Sequence, residues 1–149
     1  IGSTAFSSIS SANINKLSST QINSLTNAQF LTLTSSQIGG LSTQQLQQLT
    51  GTRLSTISAT QIKGLFTNQI TSLTTAQLTA ISPDVFGKLN SAQVNTLSSQ
   101  TLGVLGTGQI KSLSADVLKT LSTDQIAGLT TSQIAVFTKN CCESLRAAY

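Results

Sequence analysis

The sequence predicts an all-α solenoid in which each eight-residue repeat supplies one very short helix. Three observations predict it. Two apolar columns recur every eight residues without an insertion or deletion, a helix-capping signature precedes each predicted helix, and charged residues are sorted along the repeat by sign. Self-similarity at a short fixed period marks a stacked repeat array.

The first column runs from Ile1 and Ile9 through Leu17, Leu25, Leu33, Leu41, Leu49, Ile57, Leu65, Leu73, Ile81, Leu89, Leu97, Leu105, Leu113, Leu121 and Leu129 to Phe137. With that column as position a of an octad a to h, position f reads Phe6, Ile14, Ile22, Phe30, Ile38, Leu46, Leu54, Ile62, Ile70, Leu78, Phe86, Val94, Leu102, Ile110, Leu118, Ile126 and Ile134. Elsewhere only Leu31, Phe66, Val85, Val104, Val117 and Val136 supply Ile, Leu, Val or Phe, so the core is written in two columns.

Each helix has a start signal. Position b is Ser or Thr in fourteen octads and Gly2, Asn90 or Gly106 in three others, leaving Phe66 as the residue that cannot cap. Position e is Gln in eleven octads, among them Gln21, Gln37, Gln61 and Gln125. Ser or Thr followed three residues later by Gln is a capping box, and the a and f residues then stand at the two positions of a hydrophobic staple. The helix should run from about c to h. Pro83 falls at c, the first helical position, where its missing N–H costs nothing. Asp84, Asp116 and Asp124 fall at d, in the first turn, while Lys16, Lys63, Lys88, Lys111 and Lys119 fall at g or h, as the helix dipole favours. Gly39, Gly40, Gly64, Gly87, Gly103 and Gly128 share the g and h columns, as a glycine helix end would. The Gln column is read as capping, with an amide ladder that fixes register between coils as the alternative.

Two rival architectures compete with this one. In one continuous helix eight residues turn through about 800°, so the apolar columns would drift around the whole surface. A β-solenoid is the stronger competitor, because Thr and Ile favour strands and hydroxyl ladders stack well. However, a and f are separated by odd spacings, which alternate faces in an unbroken strand. The segregation of lysine and aspartate has no β counterpart. A six-residue helix is only ~9 Å long and cannot persist alone, so octads must stack with nearest-neighbour stabilisation. With two octads per coil, eighteen octads would give nine layers and a rod of roughly 70–90 Å.

The residues 1–138 form the predicted octapeptide solenoid. Residues 139–149, where the pattern decays, read as a terminal cap or the start of a following segment. The chain opens at Ile1 without a signal-like segment, which predicts a piece of a longer protein.

Composition excludes most enzymes. Only 8% of residues are charged, His, Trp and Met are absent, and 23 Ser and 23 Thr make any one hydroxyl an unconvincing nucleophile. Asp116 and Asp124 lie in consecutive octads, on opposite sides of a two-octad coil, and Asp84 is far from both, so no carboxylate pair is expected. The sequence therefore predicts no catalytic residues, no cofactor and no metal. Gly106-Thr107-Gly108 is not followed by Gly-Lys-Ser/Thr and reads as a slightly loosened octad rather than a phosphate loop. The net charge of +4 is spread along the chain without a basic run, and one Tyr and five Phe offer no stacking platform, which argues against nucleic acid. No apolar stretch approaches the ~20 residues of a membrane span. Cys141 and Cys142 cannot complete a zinc site without further ligands. Cys142 takes position f and fills a core slot on the plainer reading; an intermolecular disulfide involving the pair is the sharper one.

The tandem motif Leu-Ser/Thr-x-x-Gln-Ile-x-x, as in Leu17-Ser-Ser-Thr-Gln-Ile-Asn-Ser and Leu121-Ser-Thr-Asp-Gln-Ile-Ala-Gly, resembles octapeptide arrays of large surface, secreted or adhesin-like proteins. The resemblance covers residues 1 to about 138. It implies a non-enzymatic structural or adhesive role, an extracellular or cell-surface location, and self-association or contact with neighbouring chains of one assembly. The expected function is thus a rod or filament-forming segment. The alternative is a binding module whose Ser/Thr-rich surface engages carbohydrate, ice or a protein partner.

Overall fold

The computed structural model of the chain describes residues 8–137. They form one short helix per octad and no strand, so the all-α solenoid is established and the β-solenoid falls away. In chain order the helices are α1 (Ser11–Ile14), α2 (Ser19–Asn23), α3 (Asn27–Leu31), α4 (Ser35–Gly39), α5 (Thr43–Gln47), α6 (Gly51–Ser55), α7 (Ala59–Lys63), α8 (Thr67–Ser72), α9 (Thr75–Ala80), α10 (Pro83–Phe86), α11 (Ser91–Asn95), α12 (Ser99–Val104), α13 (Thr107–Ser112), α14 (Ala115–Lys119) and α15 (Thr123–Ala127). Residues 131–137 are helical as well.

The local rules explain each unit. Position b is extended, as at Thr34 (φ −72°, ψ 163°), so its hydroxyl can turn back and accept from the N–H of position e. The Gln at e returns the bond, its Oε1 accepting from the N–H of b; Ser18 with Gln21 and Thr26 with Gln29 form complete boxes. Pro83 takes the first helical position of α10, and Asp84, Asp116 and Asp124 occupy first turns. The other end has a device the columns do not advertise. Hydroxyls at h donate to the carbonyl of e, as from Ser24 to Gln21 (2.8 Å), Thr56 to Arg53 (2.8 Å) and Ser112 to Gln109 (2.7 Å). The N–H of a then bonds the carbonyl of f, as from Leu41 to Ile38 (3.1 Å), which tightens the last turn before the chain extends again.

Helices pack against those three places away in sequence: α1 on α4, α4 on α7, α7 on α10 and α10 on α13, with α2–α5–α8–α11–α14 and α6–α9–α12–α15 stacked in the same way. The two-octad coil is therefore overturned. Three octads, twenty-four residues, close one coil, and α3 completes the third stack by its place in that order. Each octad presents two large apolar side chains, and three octads are what it takes to ring the core they fill. The described residues make little more than five coils, roughly 40–50 Å at about 8–10 Å per packed helix, shorter and thicker than nine layers would be.

The core lies between the three stacks. Ile14, Ile22, Phe30, Ile38, Leu54, Ile62, Ile70, Phe86, Val94 and Leu102 are fully enclosed, and the a column from Leu25 to Leu129 is buried beside them. Each such side chain contributes about 1.5–3 kcal/mol. Ile126, at f, is an exception at 41% exposed.

The glycine reading needs correction. No described glycine has a positive φ, and the helices end with residues such as Gly40 (φ −76°) in ordinary right-handed geometry. Glycine is needed for close approach between coils. A Cβ on Gly39 would stand 2.6 Å from the carbonyl oxygen of Gly64, and one on Gly103 the same distance from that of Gly128. The g residue of one helix thus meets the carbonyl of the h residue of the helix above, while Gly64 and Gly128 at h are themselves closed in by Ser35 and Ser99.

Candidate functional site

The side chains that do most are the glutamines at e. Gln77 shows the arrangement. Its backbone N–H is accepted by Thr74 Oγ1 (3.2 Å), and its Oε1 accepts from the Thr74 N–H (2.9 Å). Its Nε2 donates to the carbonyls of Leu46 (2.9 Å), Gln47 (3.1 Å) and Leu49 (2.7 Å), at the corner where α5 gives way to α6 one coil earlier. One amide thus satisfies the start of its own helix and the end of another. Capping and interlayer ladder, alternatives on the sequence alone, are the two ends of one side chain.

The rung recurs along the rod. Gln45 reaches Ile14 and Leu17, Gln61 reaches Phe30 and Leu33, Gln93 reaches Ile62 and Leu65, and Gln109 reaches Leu78 and Ile81. Gln125 and Gln133 continue it. Nine glutamines are buried in this way, and no buried side-chain nitrogen or oxygen among the described residues lacks a partner. A buried amide without partners would cost about 1–3 kcal/mol, so each buried glutamine is tolerated because its own amide is fully bonded. Phe66 and Gly106 lack the capping hydroxyl, and there the e N–H bonds the b carbonyl instead (Gln69 to Phe66 and Gln109 to Gly106, both 3.0 Å). The segment Gly106–Gly108 is therefore a rung without its capping hydroxyl bond, in keeping with a slightly loosened octad rather than a phosphate loop.

Four described octads break the Gln column after α4, at Arg53, Val85, Thr101 and Val117. Arg53 keeps the downward half of the function. Its guanidinium donates to the carbonyls of Asn23 (3.3 Å) and Leu25 and to Asn27 Oδ1 (2.8 Å), and lies 5.2 Å from the centre of the Phe30 ring. Having no acceptor, it cannot return the bond to Thr50 N–H. Val117 is buried and fills its place with apolar volume. Thr101 does neither. It pairs with Ser98 Oγ at 2.9 Å, the Leu73 carbonyl beneath it receives no donor among the described residues, and a cavity of about 250 Å³ opens between Ile70, Leu73, Leu78, Leu97 and Thr101.

A larger groove of about 600 Å³ runs along the edge between the first and second stacks, over Ser11, Ser35, Ser36, Gly39, Gly40, Lys63 and Gly64 on one side and Leu65, Phe66, Thr67, Asn90, Ala92 and Gln93 on the other. Phe66 is 63% exposed at its rim.

The residues singled out from the sequence are dispersed. Asp84, Asp116 and Asp124 lie on α10, α14 and α15, one on each stack, so Asp116 and Asp124 occupy adjacent sides of the coil rather than opposite ones. Asp116 forms an exposed ion pair with Lys119 (3.9 Å). Among the described residues no group of three His, Cys, Asp or Glu could hold a metal ion, and no helix is long and apolar enough to cross a membrane. Cys141, Cys142 and the segment 139–149 lie outside the described residues.

A family model described as the ALTTAQ repeat matches residues 103–139. The letters of that description also occur, from its second onward, as Leu73-Thr74-Thr75-Ala76-Gln77, in the rung analysed above. No curated protein and no solved structure matches the chain. The similarity to this family and the regular succession of short helices together make the chain a tandem repeat array.

Proposed function

We propose that this chain is a non-enzymatic structural repeat protein, a rigid rod or filament-forming segment of an extracellular or surface assembly. The observation that carries the reading is the buried amide ladder. It ties each coil to the coil below by directional bonds, which resists sliding and bending in a way that apolar burial alone does not. An uncatalysed, distance-setting role needs that property and no other. The outward surface of Ser, Thr, Asn and Gln carries few charges, so copies meet with little electrostatic repulsion. Negative-stain electron microscopy with small-angle scattering on the purified chain tests this. Rods joined laterally or end to end into uniform fibres are expected; dispersed monomers at every concentration would overturn the filament and favour the binding module, for which the groove beside Phe66 is the leading place.

A further inference from the structure

Among the octads that lack glutamine at e, the one at Thr101 leaves a cavity with a defined polar pattern. It lies in the third stack between two intact rungs, Gln77 one coil below and Gln125 one coil above. At Gln77 the Oε1 accepts from Thr74 N–H (2.9 Å) and the Nε2 donates to the Leu49 carbonyl (2.7 Å). At Gln125 the same two bonds go to Ser122 N–H (3.0 Å) and the Leu97 carbonyl (2.8 Å). Helix α12 packs on α9 as α15 packs on α12, so the counterparts at Thr101 are Ser98 N–H and the Leu73 carbonyl. Neither has a hydrogen-bond partner among the described residues.

The hydroxyls around them are already engaged. Ser98 Oγ pairs with Thr101 Oγ1 (2.9 Å) and accepts from the Thr101 N–H (3.1 Å), while Thr71 and Thr96 donate to the carbonyls of Asn68 (2.9 Å) and Gln93 (2.7 Å). One backbone donor and one backbone acceptor therefore border a cavity of about 250 Å³ whose other walls are Ile70, Leu78 and Leu97, and no charged residue lines it. Elsewhere the corresponding place is taken by the chain itself, by the guanidinium of Arg53 or the buried side chain of Val117.

We propose that this cavity binds a primary carboxamide carried on a compact apolar body. The amide oxygen accepts from Ser98 N–H, the amide nitrogen donates to the Leu73 carbonyl, and the body rests on Ile70, Leu73, Leu78 and Leu97. A carboxamide offers an acceptor and a donor side by side without charge. A carboxylate has no proton for the Leu73 carbonyl and would be desolvated without a counter-charge, and an ammonium has no acceptor for Ser98 N–H. An apolar cavity of ~150 Å³ holds benzene, so about 250 Å³ admits a ring together with its amide. The slot is complete within one chain, so binding does not depend on fibre formation.

The test is an NMR titration of the isotope-labelled full chain with benzamide, N,N-dimethylbenzamide and benzoate. Benzamide should shift the amide signal of Ser98 and the signals around Leu73 in a saturable way. N,N-dimethylbenzamide, which keeps the acceptor and the ring but has no donor, should bind about tenfold more weakly or worse, and benzoate should not bind. T101Q, whose own amide takes the slot, and T101L, which fills it with carbon, should each abolish the benzamide shifts. Asparagine and glutamine side chains carry the same head group, and sedimentation separates the sources. A side chain inserted from a second copy makes the parent chain associate where T101Q does not; a free ligand leaves the two alike. No saturable shift at Ser98, equal affinity for the dimethylated amide, or undiminished binding by T101Q and T101L would overturn the proposal.

Discussion

Gln77 and Thr101 occupy the same position of the same stack, one coil apart, and leave their surroundings in opposite states. Beneath Gln77 three carbonyls are bonded; beneath Thr101 the Leu73 carbonyl has no donor among the described residues and a cavity opens. The apolar columns are nevertheless equally buried around both, with Leu78 at 1% and Leu102 at 0% exposure. Leucine and isoleucine therefore stack the coils, and the amide decides how the coils are registered. Burial is non-directional, and only the hydrogen bonds distinguish one register from another.

The largest test of that division attacks the columns. Leu73→Asp places a carboxylate in the core where Leu73 is buried, beneath the site that already lacks its rung. Losing the side chain alone costs about 2–5 kcal/mol, and an unpaired buried charge adds several more. Thermal unfolding followed by circular dichroism should then show two transitions, the halves on either side melting separately. A single transition at the parent temperature would show that the columns are not the stacking element.

Removing a rung should cost less, and unequally. Gln77→Ala orphans the carbonyls of Leu46, Gln47 and Leu49 and the N–H of Thr74, a loss of about 2–4 kcal/mol. Thr101→Ala removes only the hydroxyl–hydroxyl bond with Ser98, whose Oγ keeps the bond from the residue 101 N–H, and should cost less than about 1 kcal/mol. Denaturant unfolding of the two variants measures the difference. Equal losses would mean that Gln77 acts through its cap alone and that the interlayer bonds contribute nothing.

The sequence displayed the first half of this system and concealed the second. The capping box needs partners three residues apart, so Ser18 with Gln21 or Ser122 with Gln125 can be read directly from the chain. The bond from Gln77 to Leu49 joins residues twenty-eight apart, and that offset has meaning only once three octads are known to close a coil. A period of eight fixes the unit but not the number of units per turn. The same closure makes Lys63 and Lys88 neighbours, which they become only in a three-sided rod. The glycines mislead for a related reason: their columns are those of a helix end, yet what excludes a side chain at Gly39 is the next coil. Position h carried an unread signal, because its recurrent Ser and Thr close the helix from the far side.

The smallest expected effect is also the most discriminating, because it asks the broken site to become whole. In Thr101→Gln the new Oε1 would accept from Ser98 N–H, and the new Nε2 would face the carbonyls of Ile70 and Leu73 across the cavity of about 250 Å³. Every other rung supplies the same acceptors, and helix α12 already packs on α9, so no backbone movement is required. One or two added hydrogen bonds and a filled void should stabilise by about 1 kcal/mol, raising the melting temperature by about 2–4 °C. Val117→Gln makes the same chemical change where the side chain is already buried in apolar contact, and should gain nothing or lose. If Thr101→Gln stabilises and Val117→Gln, over the equally unbonded Leu89 carbonyl, does not, the open space under Thr101 is what admits the amide; if neither does, the interlayer bond contributes nothing at position e.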